Sequence, residues 1–118
     1  MATLYDRLGR EGGIDKAVAE LYDRVVSDGQ LRRHFEDVDM DRLRRHQVAF
    51  LVAATGGPRR YTGADMATAH SGLHITSSDF DRVIDHLMAT LREMGLDDGT
   101  VGEVVGALAP LRHIIIAA

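Results

Sequence analysis

Three places in the chain put a polar side chain where helical spacing calls for an apolar one. The first is Ala-Asp-Met-Ala-Thr-Ala-His-Ser-Gly-Leu-His-Ile-Thr, residues 64–76, in which Met66, His70 and Leu73 recur at i, i+4, i+7 on one face of a short helix closed by Gly72. An imidazole there can coordinate a metal through one ring nitrogen while the other bonds a backbone carbonyl; a packed core histidine has the same spacing. The second is Tyr22, on the stripe of Ile14, Ala17, Val18, Leu21 and Val25. Its buried phenol needs a hydrogen-bond partner, either a ligand or a carbonyl of the core. The third is the pair His46 and Gln47, which share a face with Leu43 and Phe50 at i, i+3, i+4, i+7. A buried amide must be paired and nothing local offers a partner, so this face either meets a ligand or lies at the core edge, open to water.

Brought around one cavity, these groups have a definite chemistry. His70 would supply an axial nitrogen from one side. Tyr22 and Gln47 would supply a hydroxyl and an amide from the other, with Phe35, Leu43 and Phe50 as walls. An imidazole opposite a small polar pocket in an apolar cavity is what a haem iron needs to bind a diatomic gas. Dioxygen so held carries partial negative charge, and a charge-assisted bond of about 1.5–3 kcal/mol slows its release roughly ten- to a hundredfold.

The elements that must position these residues are helical throughout. Leu4, Tyr5 and Leu8 make a short amphipathic piece; Gly9, Gly12 and Gly13 then form a flexible corner. A helix is predicted over residues 14–27, a turn at Asp28-Gly29, and a short helical turn over 31–35. Asp39 caps a strong helix over 42–54, with Leu43, Phe50, Leu51 and Ala54 as its apolar positions, and Thr55-Gly56-Gly57-Pro58 stops it. After the piece over 64–70, Thr76 or Ser77 caps a helix lined by Phe80, Val83, Ile84, Leu87, Met88 and Leu91, with Asp79 in its first turn and Gly95 at its close. His86 falls off that stripe and is expected to be solvated. The last helix begins near Asp98, carries Val101, Val104, Val105, Leu108 and Leu111, and meets Pro110, which should kink or thin it. No strand pattern and no internal repeat occurs. The expected fold is all-α, with four substantial helices in a single domain over residues 1–118.

Composition narrows the chemistry further. Apolar residues are 45% and charged residues 27%, an ordinary globular balance. A net charge of −4 gives no general attraction to nucleic acid or to an anionic membrane. With no cysteine, thiol catalysis, thiolate–metal sites and disulfides are excluded. The start, Met-Ala-Thr-Leu-Tyr-Asp-Arg-Leu, is not a signal peptide, and the run Ile114–Ala118 is too short to span a bilayer, so a cytoplasmic location is expected. The core uses the apolar stripes, so a monomer is expected.

At this point the chain resembles the truncated haemoglobins of the first group. The likeness runs from Leu4-Tyr5-Asp6-Arg7-Leu8-Gly9 to Ala109-Pro110-Leu111. Between them come Leu21-Tyr22-Asp23-Arg24-Val25, His34-Phe35, His46-Gln47-Val48-Ala49-Phe50-Leu51, Gly56-Gly57-Pro58, Tyr61-Thr62-Gly63, Ala69-His70-Ser71-Gly72-Leu73 and Ile75-Thr76. No one stretch is specific; the set is. The resemblance implies a truncated globin, a two-over-two helical sandwich around one non-covalent haem b per chain. It puts His70 at the proximal iron ligand and Tyr22 and Gln47 at the distal hydrogen-bonding positions. Phe35 falls on the aromatic packed against the haem face, and Leu43 where many full-length globins have a distal histidine. Phe50, Met66, Leu73 and Ile75 fall among the haem contacts, with Phe50 also beside the route of gas entry, and residues 65–69 form the short proximal segment. The corner departs from the family's usual glycine pair, reading Gly9-Arg10-Glu11-Gly12-Gly13, so its shape is expected to differ. His46 departs too: many members carry lysine or arginine there, reaching a haem propionate, whereas histidine in some photosynthetic bacteria binds the iron as a sixth ligand. Both roles stay open for His46. His113 is one position off the last-helix histidine through which some relatives attach haem covalently, so no crosslink is expected, and His34, His74 and His86 are expected at the surface or the propionate edge. The ligands implied are dioxygen, nitric oxide and carbon monoxide. The leading activity is nitric oxide dioxygenation with an external, unidentified reductase. Oxygen storage or sensing, and electron transfer or peroxide handling by a bis-histidine haem, are the alternatives.

Overall fold

The computed structural model describes residues 3–58 and 75–117. Every regular element among them is helical: α1 (Leu4–Arg7), α2 (Arg10–Ser27), α3 (Gly29–Arg32), a 3-10 turn (Arg33–Phe35), α4 (Met40–Ala54), α5 (Ser77–Glu93), α6 (Asp98–Leu108), a second 3-10 turn (Ala109–Leu111) and α7 (Arg112–Ala117). α2 packs against both α4 and α5, and α5 against α6. The expected piece over 64–70 lies outside the described residues.

The helix starts follow from side-chain caps. Thr3 and Asp6 form a reciprocal capping box on α1, and Thr76 and Asp79 form another on α5. Asp39 accepts from the Arg42 N–H at 3.1 Å to open α4, and Asp97 accepts from the Thr100 N–H at 2.7 Å to open α6. The apolar stripes face inward as their spacing requires: Ile14, Ala17, Val18, Leu21, Tyr22 and Val25 of α2 are all buried. Val105 of α6 is only half-buried beside buried Val101, Val104 and Leu108, as are Ala54 of α4 and Val83, Ile84 and Met88 of α5. Pro110 sits in the 3-10 turn that separates α6 from α7, where its missing N–H breaks the α-helical ladder.

The corner at residues 9–13 is not the flexible linker its glycines suggest. α2 begins at Arg10, four residues before the expected start, and Gly12 and Gly13 lie inside it. Gly9 takes a left-handed φ of 88° and Arg10 one of 59°, which reverses the chain in two residues. Gly13 is a packing glycine: a Cβ there would stand 1.9 Å from the Leu8 carbonyl oxygen. The other end of α4 is equally tight. The Tyr5 N–H donates to the Thr55 carbonyl at 2.9 Å, and a Cβ on Gly57 would come within 2.5 Å of Val52 and 2.7 Å of the Tyr5 ring. α1 is thereby fastened to the α4 terminus, and Arg7 fastens it to α6 by pairing with Glu103 at 2.6 Å.

Candidate functional site

α2, α4, α5 and α6 converge on one apolar cavity, open at its mouth, with about 60 Å³ of enclosed space. α2 contributes Leu21 and Tyr22, and α4 contributes Gln47 and Leu51. Phe35 of the 3-10 turn and Ile75, just ahead of α5, close one end. The α5 stripe (Phe80, Val83, Ile84, Leu87) and the end of α6 complete the wall. Tyr22 and Phe35 meet edge to face, with ring centroids 6.2 Å apart and planes at 75°, which holds the phenol against the aromatic wall.

The structure thus brings Tyr22, Phe35, Gln47 and Ile75 to one cavity, in which the phenol and the amide are the hydrogen-bonding side chains among the described residues. Leu43 and Phe50 are buried in the core and are not among the residues lining this cavity. His46 is half-buried and opens instead on a surface cleft shared with Arg42, Arg45 and Ala49. Met66, His70 and Leu73 lie outside the described residues. His113 is exposed on α7. An apolar lining with aromatic side chains and two hydrogen-bonding groups has the chemistry a haem and its polar-contacting ligand require, so these residues suit a haem.

A polar network frames the end of the cavity near Phe35 and Phe80, and no local sequence pattern announces it. Asp28 caps α3 through the Gln30 N–H at 3.0 Å. Its other oxygen accepts from Arg82 Nε and lies 2.8 Å from His86 Nε2. The Gln30 amide then donates to Asp79 Oδ1 at 3.1 Å, and His34 Nε2 lies 2.8 Å from Asp79 Oδ2. His86 is therefore not solvated as expected, and His34 turns inward: both meet buried carboxylates that come from distant parts of the chain. The Arg82 guanidinium, then the His86 ring, hold the Asp28 carboxyl well below the usual carboxylate range. Burial pushes Asp79 up, but hydrogen bonds from Gln30 and Thr76 outweigh it and leave the carboxyl lowered. The network ties the end of α2 and α3 to the first half of α5.

Comparison with known proteins agrees with this geometry. The bacterial-like globin family matches residues 3–117. The group 1 truncated hemoglobin of Mycolicibacterium paratuberculosis is 43% identical over 110 residues, covering 93% of this chain and 81% of that protein. The truncated hemoglobin from Tetrahymena pyriformis in its Fe(III) form superposes with a TM-score of 0.88 at 33% identity, covering 98% of each chain. The 2/2 hemoglobin from Synechococcus sp. PCC 7002, in the cyanomet state with covalently attached heme, superposes with a TM-score of 0.89 at 31% identity over 99% of this chain and 100% of that one. The α2–α4 and α5–α6 pairs are thus the two layers of a two-over-two globin, and the chain belongs to the bacterial-like globins, in their group 1 truncated haemoglobin branch, a family of haem-based ligand binders.

Proposed function

We propose that this chain binds one haem b in the α2–α4–α5 cavity, with His70 as the axial ligand, and converts dioxygen and nitric oxide to nitrate. The observation that carries the reading is that Tyr22, packed on Phe35, and Gln47 line a cavity whose other described residues are apolar. When bound, haem supplies a reversible site for a diatomic ligand and one-electron redox chemistry. The side chains do the rest. The Tyr22 hydroxyl and the Gln47 amide donate to a ligand that gains negative charge, and the surrounding leucine and phenylalanine side chains exclude water, which strengthens both bonds. Phe35 and Ile75 hold the macrocycle by apolar contact, joined by Met66 and Leu73, while Leu43 and Phe50 back the cavity from the core. Dioxygen, nitric oxide and one electron balance to one nitrate anion, so each turnover needs an electron from a separate reductase. Carbon monoxide enters the same pocket as an inert ligand. The protein acts as a monomer in this reading, because the apolar stripes of α2, α4 and α5 are used by its own core.

His46 favours a role at the haem edge over iron ligation, since its neighbours are Arg42 and Arg45 of a surface cleft. Absorption spectra of the haem-loaded protein, ferric and ferrous without gas, separate the two. A five-coordinate ferrous spectrum, unchanged in His46→Leu, is expected. A six-coordinate low-spin spectrum lost in that variant would make His46 the sixth ligand and move the reading to bis-histidine redox chemistry. Activity is tested by mixing the reduced, haem-loaded protein in air-saturated buffer with nitric oxide and counting products. One nitrate per haem is expected; nitric oxide loss no faster than in buffer would leave oxygen storage or sensing.

A further inference from the structure

The arginines of this chain divide sharply. Arg7, Arg24, Arg82, Arg92 and Arg112 each pair with a carboxylate from another part of the chain, and Arg10 pairs with Asp6. Arg32, Arg33, Arg42, Arg44 and Arg45 have no carboxylate within ion-pair reach among the described residues. In sequence, residues 42–64 hold five arginines and no acid, while the rest of the chain holds all 18 acids and only nine of the 14 Lys and Arg. Within α4 itself, Arg42, Arg44 and Arg45 outnumber Asp41, so a protein of net charge −4 carries a local excess of positive charge on this helix.

That charge is not uniform around α4. Arg44 and Arg45 border a cleft with Asp41, Asp15 and Glu11, so that face is mixed. Glu36, Asp37 and Asp39 precede the helix. On the neighbouring face, Arg42, Arg45, His46 and Ala49 recur at i, i+3, i+4, i+7 and line an open cleft with no acid among the described residues. His46 adjoins Gln47, so this basic cleft and the candidate haem cavity lie on either side of the same helical turn.

We propose that the Arg42–Arg45 face of α4 is the docking surface for an acidic electron-donor protein. The inference rests on the haem reading above, because that reaction consumes one electron per turnover and the chain must receive it from outside. Guanidinium groups with no carboxylate partner among the described residues attract a compact acidic face and hold it there. The acidic remainder of the chain argues against a long polyanion such as nucleic acid, which would run past the patch onto negative surface.

The test follows reduction of the ferric, haem-loaded protein by a reduced, acidic plant-type ferredoxin as the probe, by stopped flow, from about 0.01 M to about 1 M salt, where the screening length shrinks from about 30 Å to about 3 Å. Net charge alone makes two acidic proteins repel, so the rate would rise with salt. Docking on the basic face makes it fall, by about tenfold or more. Arg42→Glu with Arg45→Glu should reverse the sign of that salt dependence and lower the low-salt rate by a similar factor or more, while the Soret band and carbon monoxide binding stay unchanged. The milder Arg42→Gln with Arg45→Gln pair should lie between, and serves if the charge reversal does not fold. A parent rate that rises with salt, or charge-reversed protein reduced as fast as the parent, overturns the docking surface alone and leaves the haem reading standing. Tighter binding of duplex DNA than of the ferredoxin in the same buffer overturns the choice of partner. A chain that takes up no haem removes both readings together.

Discussion

At the scale of single residues, Tyr22 and Gln47 matter through the bonds they can donate. Tyr22→Phe keeps the edge-to-face packing on Phe35 and removes only the hydroxyl. It should speed dioxygen release from the haem-loaded protein about ten- to a hundredfold, the equivalent of about 1.5–3 kcal/mol, read by ligand-replacement stopped flow. Gln47→Leu should act in the same direction, and the double variant should lose less than the sum because both donors face one small ligand. A Tyr22→Phe protein with the parent's release rate would take the hydroxyl out of ligand binding. Much of this wall was legible in the sequence. Tyr22 and Gln47 interrupt apolar stripes, and a period of 3.6 residues is enough to turn both inward. His46 was less legible: residues 46 and 47 differ by about 100° around the helix, and i+3 and i+4 spacing alone does not say which of them meets the cavity and which the surface. His86 was misread for another reason. Its partner, Asp28, is 58 residues away in sequence, and no local pattern announces that contact.

At the scale of elements, helix identity was the easy part. Asp39 and Thr76 announce α4 and α5 by the physics of unsatisfied N–H groups, and both helices start where those caps put them. The start of α2 was misplaced because glycines read as breakers, whereas Gly13 is needed inside a helix to let the Leu8 carbonyl approach. The joint between α3 and α5 has a consequence for acid stability. Asp28 and Asp79 are both held below their ordinary range in the folded protein. Their contribution is therefore complete above the unfolded carboxylate value of about 3.9 and is lost as pH falls through the lower folded values. Asp28→Asn should cost on the order of 1–3 kcal/mol in urea unfolding at neutral pH, since it leaves Arg82 and His86 without their acceptor. The gap between parent and variant should then close as the titration is carried below about pH 4. A gap that stays constant across that range would mean that the carboxylate charge is not what joins α3 to α5.

At the scale of the whole molecule, the apolar cavity is a cost until something fills it. Haem that binds only the folded chain should therefore stabilise it by mass action, by about 2.7 kcal/mol at a hundredfold excess over Kd. Unfolding curves at increasing haem concentration read this directly, and a midpoint that does not move would mean that haem does not discriminate between folded and unfolded chains. The charge layout works at the same scale, since a net acidic protein with one basic helix face is an oriented object in the field of a partner. One more property follows from Gln30. This exposed glutamine is the only amide bridging Asp28 and Asp79 among the described residues, and its side-chain N–H holds the second of them. Slow hydrolysis during storage, mimicked by Gln30→Glu, would turn that donor into a third carboxylate beside two others. An aged preparation should therefore soften at neutral pH and recover part of the loss in acid, where a protonated carboxyl can donate again. The molecule thus carries a chemical clock, readable as a drop in neutral-pH melting temperature that tracks a gain of one negative charge on isoelectric focusing.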